Sequence, residues 1–182
     1  MSTTQVWYSD IQFRPDPADS HRSVIDLGIL LEFTTKEYWV IAVAIQAGID
    51  DSKLAGLDGL TRKLLEHRTA VISRELDQVL PRASKPGEAL KLLATENPWS
   101  IHVSFPTRVA IPSSVRRGSS TTIEQIAERY VYSIYLNRLT ESIRAEKSTR
   151  HARSQQVPLS EIPPPWMYSP RVIRRPLMSK KG

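Results

Sequence analysis

The sequence predicts an α+β domain: a small antiparallel or mixed sheet of about four strands covered by two long helices, with an extended C-terminal tail. Three observations predict it. Residues 24–46 hold two apolar, β-branched runs around the polar turn Thr34-Thr35-Lys36-Glu37, a hairpin pattern. Two later stretches, 54–80 and 123–143, repeat apolar residues at helical spacing. After Lys147 that periodicity gives way to proline and basic residues. The expected division is one α+β domain over 1–147 and a basic, Pro-rich tail over 148–182.

The first strand is expected over 6–14, with Trp7, Ile11 and Phe13 on one face. Pro15 and Pro17 end it, because proline lacks the amide donor a ladder needs. In the hairpin, strict alternation puts Ile25, Leu27, Ile29, Leu31 and Phe33 on one face and Asp26, Gly28, Leu30 and Glu32 on the other. Gly28 has no glycine cluster around it, so it reads as a bulge or a close packing point, not a phosphate loop. The second run is apolar on both faces, as in a strand covered on both sides.

Leu54, Leu57, Leu60, Leu64, Ile72, Leu76 and Val79 give the first long helix its stripe, interrupted early by Gly56 and Gly59 and stopped by Pro81. Pro86-Gly87 marks a turn before a short helix over 88–95. Residues 99–105 read as a strand, with Ser100, His102 and Ser104 on its polar face. Residues 106–120 look irregular. Thr121 and Glu124 have capping-box spacing for the second long helix, which carries Ile123, Ile126, Ala127, Tyr130, Val131 and Ile134.

The chain has 182 residues and no cysteine, which excludes disulfides, thiolate nucleophiles and cysteine metal sites. No export signal is visible at the start, and the longest apolar run is far short of a membrane span; a cytoplasmic, non-membrane protein is expected. The net charge of +6 is uneven. From Arg144 onward nine basic residues face only Glu146 and Glu161, whereas the body before it is nearly neutral. A polyanion would therefore meet the tail.

Candidate anion or nucleic-acid contacts are Arg108, Arg116 and Arg117 near the second helix start, and Arg150, Arg153, Arg174 and Arg175 in the tail. Guanidinium groups and helix N-termini both favour phosphate. Such contacts hold backbones without reading bases. Candidate protein anchors are Ile162, Trp166, Met167 and Tyr168, clustered around Pro163-Pro164-Pro165, where an extended polyproline segment would present them. For catalysis the dispersed candidates are Asp10, Asp26, Glu32 and His102. No metalloprotease, P-loop, dinucleotide-binding or nuclease motif accompanies them, and no histidine spacing suits a metal. No catalytic residue, metal or cofactor is assigned.

Two blocks also carry a resemblance. The first runs from Arg14-Pro15-Asp16-Pro17 to Asp26-Leu27-Gly28-Ile29-Leu30-Leu31. The second runs from Trp99-Ser100-Ile101 through Ser104-Phe105-Pro106 to Glu128-Arg129-Tyr130-Val131. Over about residues 8–139 the chain resembles a DUF3037-like bacterial family, small proteins classed as a domain of unknown function. The family usually has an asparagine where Asp26 stands and an acidic residue where Ser23 stands. If the family's two polar residues form a site, the resemblance implies that Ser23 and Asp26 alter its chemistry here; Arg14, Asp16, Asp26 and His102 are taken together as a candidate polar site. Such genes often lie near small kinases resembling the HipA toxin, which implies a protein partner and no established activity.

The reading that follows is a non-catalytic adaptor or accessory subunit that binds a partner protein within a larger assembly. The alternatives are a DNA- or RNA-binding protein using the Arg-rich loop and tail, and a hydrolase or nuclease built from dispersed Asp and His residues.

Overall fold

The computed structural model of the chain describes residues 3–14, 24–46, 48–49, 51–96, 101–112, 122–149 and 171–177. Six strands among them form one sheet: β1 (Thr3–Phe13), β2 (Ile25–Thr34), β3 (Tyr38–Ile45), β4 (Ile101–Val103), β5 (Thr107–Pro112) and β6 (Arg171–Pro176). The order is β4-β1-β2-β3-β6, β5 also pairs with β1, and every pairing is antiparallel. The fold class is α+β as expected, but the sheet is larger than four strands.

The extra strands have identifiable origins. β1 is 11 residues long, and one short strand does not cover its outer side. β4 pairs with Ile11 to Phe13 and β5 with Thr3 to Tyr8. β5 lies where an irregular stretch was expected, because Pro106 and Pro112 bracket a run of only five residues. β6 comes from within the predicted tail. Val172 and Ile173 pair with Ala42 and Ile41 and extend the sheet beyond β3.

Gly28 resolves as a bulge. Ile11 pairs with Gly28 but Gln12 with Asp26, so Leu27 is the extra residue on β2. A Cβ on Gly28 would meet the Ala44 carbonyl oxygen at 2.2 Å, so only glycine admits this approach. The expected single face of β2 is thereby split. Ile25 and Leu27 face one core and Ile29, Leu31 and Phe33 the other, because an inserted residue reverses the alternation.

The helices form two layers. On one face lie α1 (Asp51–Leu54), a single turn, then α2 (Gly59–Glu66), α3 (Arg68–Val79) and α4 (Glu88–Glu96). The expected long helix over 54–80 is thus three pieces and a closing 3-10 turn, Leu80–Arg82. Gly56 takes a φ of +82° and ends the first piece. Asp58 then caps α2 by accepting from the amides of Leu60 and Thr61, both at 2.9 Å. The break leaves Leu60 on the surface at 80% exposure instead of in the stripe.

On the other face lies α5 (Ile123–Thr149), which of the two expected long helices is the one that runs unbroken. Its capping box is Thr122 with Gln125, one residue later than expected. Tyr130 is fully buried and meets Phe33 edge-on, ring centroids 5.0 Å apart at 84°.

Candidate functional site

Three places carry chemistry. The first is a polar row on the α5 side of the sheet. Gln12 of β1 pairs with His102 of β4 on one side and Asp26 of β2 on the other. The Gln12 amide donates to Asp26 Oδ1 at 3.1 Å, and Arg14 donates to Gln12 Oε1 at 3.3 Å. Next along β1 and β4, Ser104 Oγ accepts from the Asp10 amide at 2.8 Å. Burial first, then the nearby charge of Arg14, holds the His102 imidazole below its usual range, so it is neutral at pH 7.

The row brings together Arg14, Asp26 and His102, three of the four residues of the candidate polar site. Asp16 lies outside the described residues. The row does not form a catalytic pair. His102 and Asp26 stand two strand spacings apart, about 10 Å, with Gln12 between them. No hydrogen bond joins them. Glu32, the further candidate acid, lies on the opposite face. Among the described residues no cluster of His, Asp or Glu is arranged to hold a metal.

The second place is an apolar cleft of about 310 Å³ on the short-helix side. Leu64 of α2, Val71 and Ile72 of α3, Leu93 of α4, and Ile101 and Val103 of β4 line it, with Arg74 and Glu75 as its charged members. It is lined from three separate short helices and a strand rather than from one continuous helix. Leu60 precedes Leu64 by one helical turn, and Phe105 follows Val103 by two residues; both are exposed, Phe105 at 65%.

The third place is Glu32, which the sequence reading treated only as a dispersed carboxylate. It is fully buried in the middle strand, opposite Trp7 on β1 and Ile41 on β3. Its Oε2 accepts from the Gly87 amide, and the amides of Ala89 and Leu90 also face it, so it binds the N-terminal end of α4 from across the core. Its Oε1 has no protein partner among the described residues. Burial outweighs those amides and pushes the carboxyl up to about 7, with Glu88 adding a smaller repulsion. Gly87 has a φ of +87°, and a Cβ there would press on the Trp7 indole at 3.1 Å. The local signal was present: one acid inside an apolar strand, and a Pro-Gly turn to meet it.

The basic candidates divide. Arg108 lies over Trp7, 5.4 Å from the ring centroid. Arg174 pairs with Glu124 at the start of α5. Arg175 lies over Trp39 at 5.2 Å and donates to the carbonyls of Leu80 at 2.6 Å and Ala83 at 3.2 Å. These last two arginines fasten β6 to both helical layers. Arg116, Arg117, Arg150, Arg153 and the anchors Ile162, Trp166, Met167 and Tyr168 lie outside the described residues. No helix among the described residues is long and apolar enough to cross a membrane. No family model, curated protein or solved structure matches the chain.

Proposed function

We propose that this protein is a non-catalytic binding module that receives an apolar side-chain anchor of a partner protein in the cleft between α2, α3, α4 and β4. The cleft carries the reading. Its volume is at the small end of ligand pockets, and six of its eight described lining residues are apolar, with Arg74 and Glu75 the charged ones. It suits one or two large apolar side chains of the kind that dominate protein interfaces. Leu60 and Phe105 give a partner more apolar surface beyond the cleft than a small ligand would use. The adaptor reading from the sequence is retained, with the contact moved to the body of the domain.

The test is capture of native complexes by the full chain, with and without nuclease, compared with the Val71→Glu and Leu60→Ser variants. The expected partner survives nuclease and raised salt, and each variant lowers its affinity by about tenfold or more. Capture that is lost with nuclease and falls steeply with salt, yet is indifferent to both variants, overturns this reading in favour of nucleic-acid binding.

A further inference from the structure

Glu32 is used neither by the polar row nor directly by the cleft, and its surroundings are unusual for a structural acid. One oxygen binds the amide of Gly87 at the entry to α4; the other is buried with no protein partner among the described residues. Around it stand Trp7, Ile41 and, diagonally, Ser9 and Trp39, whose hydroxyl and indole nitrogen are likewise buried without a protein partner among the described residues. Charged groups near this shell are Glu88 on α4, Lys85 in the turn before it, Arg108 stacked on Trp7 and Arg175 stacked on Trp39. Among the described residues Glu88 acts on the Glu32 carboxyl by charge, and it disfavours ionisation.

We propose that Glu32 is a proton-linked anchor of α4: protonated, it seats the helix on the sheet, and ionised, it loosens that seat. The neutral acid carries its proton on Oε1 while Oε2 still accepts from Gly87. The ionised form must bury a charge there, which the amides of Gly87, Ala89 and Leu90 offset only in part. Proton loss is therefore relieved by letting water reach the α4 entry. Leu93 of α4 is one wall of the cleft, so the cleft would respond to pH as well. That consequence rests on the cleft reading; the anchor does not.

The direction follows from linkage. The folded carboxyl titrates at about 7 and the unfolded one at about 4.5. The folded state therefore holds the proton more strongly, its advantage is full below pH 4.5, and it is lost as pH rises through 7. The change in the unfolding equilibrium is on the order of a hundredfold across that window.

The experiment uses the full chain labelled with carbon-13 glutamate. Carboxyl-detected NMR is expected to show Glu32 titrating near neutrality. The protection of the Ala89 and Leu90 amides from exchange should fall over the same range, after correction for intrinsic rates. In Glu32→Gln that fall should vanish. A Glu32 titration at the ordinary carboxylate pH overturns the proposal without needing a variant, as does an unchanged pH response in Glu32→Gln. Nile red serves as the cleft probe. If its fluorescence stays flat while the amides respond, the link to the cleft fails and the anchor stands.

Discussion

Beneath α5 the sheet presents Val6, Ile29, Leu31, Phe33, Val40, Ala42 and Ala44, all apolar and met by one continuous helix. Beneath α1–α4 it presents Ile11, Phe13, Leu30, Trp39 and Ile41, and among them two buried polar residues, Ser9 and Glu32. One long helix closes its face with a single stripe and its own cap. Four short helices leave seams, and the seams hold both the cleft and the buried acid. A layer assembled from pieces costs ordering entropy at each break, and here the breaks are where a partner or a proton can act.

Four substitutions probe this contrast. The largest effect is expected from Tyr130→Ala, which removes the ring packed on Phe33 from the closed face and should cost about 3–5 kcal/mol in urea unfolding. A smaller loss would mean that the α5 face relaxes as readily as the other. Leu93→Ala is expected to cost about 2 kcal/mol, at the low end for a buried leucine, because it borders an existing cleft. Leu76→Ala, enclosed on the same face, should cost more than Leu93→Ala; equal losses would argue against an open seam. Thr122→Ala deletes the α5 capping box and should cost about 1 kcal/mol, with a correspondingly small drop in thermal midpoint.

Much of this architecture was legible from local pattern. The hairpin, the Pro-Gly turn before α4 and the apolar stripe of α5 all form where period and turn chemistry place them. What escaped has physical causes. Alternation along β2 fails at Gly28 because a bulge is a property of the pairing with β1, not of β2 alone. The stripe over 54–80 is periodic, yet the Gly56 conformation and the Asp58 cap cut it. β6 reads as a solvated basic segment until Arg174 and Arg175 are seen spent on Glu124, Trp39 and two carbonyls. The polar row was partly visible, since Asp26 and His102 sit at polar positions of apolar strands and Arg14 directly follows one. The role of Glu32 was not, because its partner at Gly87 is 55 residues away.

The late position of β6 also bears on how the chain is made. β3 emerges from the ribosome far ahead of the segment that pairs with it, and all of α1–α5 is synthesised in between. Among the described strands β6 alone pairs with that edge of β3, so until it is made the edge that bears Trp39 lacks its ladder partner, and unpaired edges of this kind are where another chain can add a strand. Arg171–Pro176 ends the exposure, and Arg175 locks the closure against the 3-10 turn.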